Sequence, residues 1–340
     1  MSTARARKDT VQSERFRVPN GDGWDLSLIR TWDTERLDRS RRPVLIVPGY
    51  GMNSFIFSFH PSGLSLEGYL VEAGFETWRV DLRAQGDSVS TGGTDNFSLE
   101  DLALTDVTAA IEAVRANSVA DKERIDVIGA SLGGTLMFIQ AVANPHHRMA
   151  SLVSIGAPVR WVKVHPFLKT VFASPRLIGA LRFKGSRKLA ELTLPVLARY
   201  APSALSIYMN PEISDVTAAR DMVKTVEDPN RFVNKQIAHW FQERDLVVRG
   251  LNISNGLGRI SNPLLCVVAN RDGIVPAEVA AYPYERVASR DKSILEVGDH
   301  TVAVAHADLF VSSEAHRRVF EPIARWLRDP AAAPRHLGPA

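Results

Sequence analysis

The chain has 340 residues, 45% of them apolar and 23% charged, the composition of a globular protein with material for a real core. Forty-one basic side chains against thirty-eight acidic ones leave a net charge of +3, too little for a protein that coats nucleic acid. No run approaches the ~20 apolar residues of a membrane span, and Arg5, Arg7 and Lys8 have no apolar stretch behind them, so the expectation is a soluble, cytoplasmic protein with neither a spanning segment nor a secretory signal.

Residues 1–15 and 330–340 read as disordered tails. Residues 25–30 alternate apolar and polar positions, as a half-buried strand does. The run Val-Leu-Ile-Val within 43–48 is short enough for a strand buried on both faces, and 77–81, 125–129, 152–155, 264–269 and 293–297 repeat that character. Helical spacing falls between these runs. It covers 66–73, 131–142, 315–327 and, most clearly, 98–116, where Leu102, Val107, Ile111 and Val114 share a face and Ser98 with Asp101 resembles a capping box. Short apolar strands separated by helices predict an α/β fold with a mostly parallel central sheet flanked by helices, built from residues 16–157 and 261–329. The alternation fails over 158–260, a stretch of helices and loops with frequent proline and no convincing buried strand. The simplest account is a helical cap inserted before the strand at 264.

Gly129, Ser131 and Gly133 form a G-x-S-x-G spacing between a predicted strand and a predicted helix. Serine is a weak nucleophile unless its hydroxyl is exposed and held beside a base. A tight strand-to-helix turn projects the side chain, and glycines on either side remove Cβ atoms that would collide there. The amide of Leu132 then opens a helix and can donate to a developing oxyanion.

On these residues the chain resembles an α/β-hydrolase over about residues 20–328, the cap excepted. The resemblance implies a second oxyanion donor in the segment Val47-Pro-Gly-Tyr-Gly-Met-Asn, with Pro48 where histidine is usual; by position the donor is the amide of Tyr50, with Gly51 the alternative. Asp81-Leu-Arg-Ala-Gln-Gly-Asp-Ser is similar to a structural loop of the family, with Ala84 replacing a glycine.

A serine nucleophile needs a base and the base an orienting carboxylate, which in this family follow in the order serine, acid, histidine. Asp272 lies just after the strand 264–269, and Asp299 is a weaker competitor beyond the last strand. His306 and His300 both follow that last strand. The segment from His306 to Ala315 resembles the G-H-x-(G/D)-L-x-x-G-x-x-A stretch of lipases and polyester synthases, which leads into a helix ending here in Trp326-Leu327; His306 is therefore the expected base and His300 the alternative. His60, His165 and His239 read as surface or cap residues.

The expected activity is that of a serine esterase or lipase acting on esters with an apolar acyl group through an acyl-enzyme, requiring no metal, no organic cofactor and no nucleic acid. Acyl transfer to an alcohol shares that intermediate. The cap's end also resembles the polyhydroxyalkanoate synthases, which use a cysteine at the same turn; the lone cysteine, Cys266, lies inside a strand and reads as a small buried hydrophobe that excludes an intrachain disulfide. A non-catalytic binding protein on this fold is a third reading. Residues 160–190 carry eight basic side chains and no acidic one, interleaved with apolar residues such as Trp161, Phe167, Phe172, Leu181 and Phe183. These either pack the cap onto the core beneath a solvated charged face, the favoured reading, or meet a lipid or polymer surface.

Overall fold

The computed structural model describes residues 10–180, 184–201 and 205–337. Its strands are β1 (Val11–Pro19), β2 (Trp24–Asp33), β3 (Val44–Val47), β4 (Thr77–Asp81), β5 (Val89–Ser90), β6 (Ile125–Ala130), β7 (Met149–Ile155), β8 (Val247–Val248), β9 (Leu251–Asn252), β10 (Leu264–Ala269), β11 (Lys292–Val297) and β12 (His336–Leu337). Ten of them form one sheet in the order β1-β2-β4-β3-β6-β7-β10-β11-β12, with β5 beside β2. β2 is antiparallel to β1, β4 and β5, and every other pairing in the sheet is parallel.

The parallel strands are apolar on both sides because helices cover both sides. β3 sends Leu45 and Val47 to one face and Val44 and Ile46 to the other, and β10 divides Leu264, Cys266 and Val268 from Leu265, Val267 and Ala269. The first face is covered by α2, whose regular part is Val107–Asn117, and α3 (Leu132–Ala143). The second is covered by α1 (Leu66–Glu72) and the C-terminal helix Glu321–Arg328. The capping box at Ser98 and Asp101 is present, but the helix it opens widens into a π turn over Leu102–Asp106 before α2 continues. Buried Asp106 accepts from Arg83 Nη2 at 2.8 Å and Asn20 Nδ2 at 2.7 Å, tying α2 to the loop after β4.

Both expected tails require correction. β1 begins at Val11 and pairs with β2 from Val11↔Asp33 to Pro19↔Asp25, and β12 extends the far edge through Ile294↔His336. β1 is an edge strand, largely exposed, so its polar residues give no alternating signal; its order comes from the neighbour's backbone. Residues 1–9 and 338–340 lie outside the described residues.

Between β7 and β10 the described residues form helices and loops together with the hairpin β8–β9, whose turn places Arg249 (φ 50°) and Gly250 (φ 77°) in the left-handed region. Its helices include α4 (Pro166–Val171), α5 (Pro175–Ala180), α6 (Ser186–Tyr200) and α7 (Arg231–Glu243). Asn230 caps α7 by accepting from the amides of Phe232 (2.8 Å) and Val233 (3.2 Å). Trp161, Phe172 and Ile178 are buried, whereas Val171 and Leu177 face solvent. Leu181, Arg182, Phe183 and the side chain of Phe167 lie outside the described residues. Among the described residues no helix is long and apolar enough to cross a membrane.

The loop after β4 is held by Asp81, which accepts from the amides of Ser54 (2.8 Å) and Asp87 (3.2 Å). Ala84, at the position where the resemblance has glycine, sits at φ 58°. A left-handed alanine carries a Cβ–carbonyl clash that glycine lacks. Ala84→Gly is therefore expected to stabilise the fold by about 0.5–1 kcal/mol, read as a higher urea midpoint at unchanged m-value.

Candidate active site

The turn between β6 and α3 is tightly constrained. Ser131 adopts φ 51° and ψ −122°, and its amide donates to Ile155 O at 2.8 Å. A Cβ on Gly129 would lie 2.4 Å from Gly134 Cα, one on Gly133 would lie 2.2 Å from Val47 O, and one on Gly134 would lie 2.4 Å from Ala157 Cβ. Gly49, in the loop after β3, passes so near that a Cβ there would come within 3.0 Å of Ser131 Cβ. The three glycines of the turn let helix, strand and neighbouring loop approach backbone to backbone, and the side chain of residue 131 is thrust out of the sheet edge. The role of Gly134 and Gly49 escapes the G-x-S-x-G spacing, because it is set by what crosses the turn.

The loop after β10 brings Asp272 to the same edge, as expected of a carboxylate at the end of a parallel strand. Its Oδ1 accepts from the amides of Ile274 and Val275, both at 2.8 Å, and its Oδ2 lies 2.6 Å from His306 Nδ1. Both side chains are buried. A carboxylate oxygen only accepts, so the contact places a proton on His306 Nδ1, and in the neutral imidazole that leaves Nε2 as the acceptor. Gly156 at the end of β7 (φ 54°) packs beneath this pair, where a Cβ would meet His306 Cε1 at 3.2 Å and Asp272 Oδ2 at 3.5 Å.

His306 and Ser131 line one cavity of about 290 Å³. The Ser131 hydroxyl makes no hydrogen bond to the imidazole among the described residues, which is common before a substrate draws nucleophile and base together. Tyr50 and Leu132 line the same cavity. Leu132 opens α3, so its amide has no helical carbonyl to bond, and the amide of Tyr50 donates to no backbone carbonyl among the described residues. The Tyr50 hydroxyl donates to Asn234 Oδ1 of α7, and burial pushes the phenol's pKa above its ordinary value. Gly51, the alternative donor, is at φ 63° and its carbonyl accepts from Glu227 N at 2.8 Å.

The remaining wall is aromatic and aliphatic, and much of it comes from the segment between β7 and β10. Trp161 packs against Phe241 (centroids 4.3 Å apart) and Trp240 (5.4 Å), and Phe172 against Phe241 (5.1 Å). Two residues near the histidine were missed by sequence reasoning. Tyr208 stands with its ring 6.1 Å from that of His306, and its carbonyl accepts from Ala307 N at 2.7 Å. Buried Asp308 accepts from Ala305 N (2.7 Å), Asn210 N (2.9 Å) and Ser214 Oγ (2.6 Å), pinning the histidine loop to the cap; burial pushes its carboxyl up. Tyr208 has no local signal, because its contacts lie far along the chain, whereas Asp308 occupies the (G/D) position of the stretch that begins at His306, and its bonds to Asn210 and Ser214 are what the tertiary structure adds.

The competing candidates lie elsewhere. His300 is exposed, and Asp299 is engaged by the Thr301 hydroxyl and by the amides of Thr301 and Val302, which hold its carboxyl well below the usual range. His60 is a correction: it is buried in the core, with Nε2 3.0 Å from Ser312 O and Nδ1 accepting from Ser62 N at 3.1 Å. His239 is exposed on α7. Cys266 is fully buried in β10, and burial pushes its thiol up to about 12, so it is no nucleophile.

Fold and site together place the chain among the α/β-hydrolases. A model of the family described as serine aminopeptidase, S33 matches residues 38–299, and the chain belongs to that family of hydrolases. Solved structures with the same fold include an esterase from Exiguobacterium antarcticum (15% identity, TM-score 0.59, 94% of this chain and 100% of that one). A monoacylglycerol lipase from Paleococcus ferrophilus is similar (17%, 0.58, 94% and 99%), as is a 2-hydroxy-6-oxo-6-phenylhexa-2,4-dienoate hydrolase from Rhodococcus sp. strain RHA1 (15%, 0.63, 95% and 100%). Two curated relatives, described as potassium-transporting ATPase potassium-binding subunits from Mycobacterium sp. strains KMS and MCS, are 30% identical over 121 residues; the match takes in 36% of this chain and only 20% of theirs. None of these findings extends the resemblance of the cap's end to the polyhydroxyalkanoate synthases.

The crowding at the turn has a measurable consequence. Gly133→Ala drives a methyl into the Val47 carbonyl and is expected to cost at least about 3 kcal/mol of stability in urea unfolding, whereas Gly258→Ala, with its nearest neighbour 3.9 Å away, stays within about 1 kcal/mol.

Proposed function

We propose that this hydrolase cleaves carboxylic esters with an apolar acyl group through an acyl-enzyme on Ser131. The observation that carries this reading is the buried 2.6 Å contact between Asp272 and His306, whose imidazole lines the same apolar cavity as a serine held at φ 51°. In this reading His306 Nε2 takes the Ser131 proton as Oγ attacks the ester carbonyl, and Asp272 holds the tautomer and stabilises the imidazolium. The amides of Tyr50 and Leu132 receive the oxyanion, each a donor of the kind whose removal costs about 3–4 kcal/mol in the barrier. His306 then protonates the leaving alcohol, and water, activated by the same imidazole, releases the acid and restores Ser131.

The family description names an aminopeptidase, but the cavity favours a neutral substrate. A peptide's α-ammonium needs a carboxylate partner, and no aspartate or glutamate is among the described residues lining the cavity. Residues 158–260 act in this proposal as the cap that supplies the acyl-binding wall, through Trp161, Phe172, Trp240 and Phe241.

The test is stoichiometric fluorophosphonate labelling, expected at Ser131 and lost in Ser131→Ala. Against a soluble p-nitrophenyl ester, His306→Ala is expected to lower kcat about 10⁴-fold and His300→Ala less than about twofold. Full turnover in His306→Ala would end this assignment, and an intact protein that does not label would favour a binding function. Added alcohol that diverts product to a new ester at high yield would move the reading to acyl transfer.

Shortening the cavity wall should move specificity. Trp161→Ala is expected to raise the ratio of kcat/KM for decanoate over butanoate esters about tenfold, because each added methylene gains apolar contact.

A further inference from the structure

Helix α6 has two apolar faces, and among the described residues only one of them has a partner. At 100° per residue, Ala190, Leu194 and Leu197 share one face, and Leu194 and Leu197 pack on the core through residues 216–225. Leu189, Leu192, Val196 and Tyr200 fall within a second arc about 80° wide by the same helical spacing. Their side chains are 63%, 73%, 54% and 74% exposed. Four large apolar residues at i, i+3, i+7 and i+11 standing in water are not the scattered single exposures that any surface carries.

The charges around this stripe say what covers it. Lys188 and Arg199 lie along one edge, both exposed, with the Arg199 guanidinium 5.5 Å from the centroid of the Tyr200 ring; Glu191 projects away from the stripe. Over residues 160–200 the sequence has nine lysines and arginines and a single acid, and of these Arg160, Lys163 and Arg187 are paired with Asp245, Glu278 and Glu227. A second copy of this chain seated on the stripe would bring Lys188 and Arg199 against like charges. An anionic lipid surface complements these cations, with the apolar stripe entering the acyl boundary and the long basic side chains reaching the headgroups.

We propose that the outward face of α6 docks this protein on anionic lipid surfaces. The helix is wired to the site that would draw from such a surface. Its first amides, Gly185 N and Ser186 N, donate to Asp228 at 3.0 and 2.7 Å, and Arg187 donates to Val226 O (3.1 Å) and Glu227 Oε1 (2.8 Å). Val226 lines the Ser131 cavity, and Glu227 N bonds the carbonyl of Gly51 in the loop that carries Tyr50. Docking through α6 thus sets the cavity wall next to the lipid, which deepens the ester reading by naming lipid-dissolved esters as substrate; the docking itself does not depend on that reading.

The test is flotation of the full chain with vesicles, which needs no turnover. The protein is expected to float with vesicles of equimolar phosphatidylcholine and phosphatidylglycerol, to stay down with phosphatidylcholine alone, and to be released by high salt. The double variant Leu189→Ser, Leu192→Ser should lower the bound fraction at least about tenfold while keeping its thermal midpoint and its fluorophosphonate labelling. Lys188→Glu with Arg199→Glu, which leaves the apolar stripe intact, should also lower it and guards against misfolding of the first variant. A wild-type protein that remains soluble with anionic vesicles, or serine variants that float as well as wild type, would overturn the proposal. So would a wild-type dimer in analytical ultracentrifugation that the serine variants convert to monomer, since a second copy would then be the occupant.

Discussion

At the strand-to-helix turn around Ser131, three backbones meet with no room for side chains. β6, α3 and the loop after β3 approach so closely that Gly129, Gly133 and Gly134 have contacts under 3 Å waiting for any Cβ. The gain is position. A residue at φ 51° stands clear of the sheet edge, with the first amides of α3 beside it and the Gly49–Tyr50 loop in contact. The left-handed backbone at a non-glycine residue costs about 1–2 kcal/mol and persists only where surrounding packing over-determines it. Here that packing is the closeness of the glycines themselves.

Asp272 and His306 reach this point by a different route. Asp272 is fixed by two amides of its own loop, and its remaining oxygen fixes the imidazole of His306. Asp308 adds a second anchor two residues further on, gathering amides and a hydroxyl from Ala305, Asn210 and Ser214. Buried carboxylates of this kind are tolerable only because nearly every lone pair is satisfied. The histidine loop and residues 208–214 are therefore one hydrogen-bonded unit.

The cap is also tied to the opposite side of the cavity. Thr225, Val226 and Glu227 run beside the loop after β3, with Asn53 N bonding Thr225 O and Glu227 N bonding Gly51 O. Arg187 joins the start of α6 to that same strand-like segment. The segment that faces the candidate oxyanion loop is thus hydrogen-bonded to the start of the helix whose outer face carries the exposed stripe of leucines, valine and tyrosine. Surface chemistry on the cap and the geometry of the site share a short chain of contacts.

The sequence by itself determined the core. Runs such as 264–269 and 77–81 appear as strands with the limits expected, because a strand buried on both faces must be continuously apolar and must end where polar turn residues begin. Gly129, Ser131 and Gly133 were legible for a similar reason: a local steric requirement leaves a local pattern. What tertiary structure decided is whatever depends on distant partners. β1 and β12 exist because a neighbouring strand offers its backbone, not because their own residues alternate. The pairing of Asp272 with His306, the burial of His60 and the use of Tyr208 and Asp308 follow from chain crossings that bring together residues tens to hundreds apart. In the cap, helical periodicity reveals that α6 has two apolar faces, but only packing shows that one is covered and the other meets solvent, since burial is a property of the assembled surface and not of the helix alone.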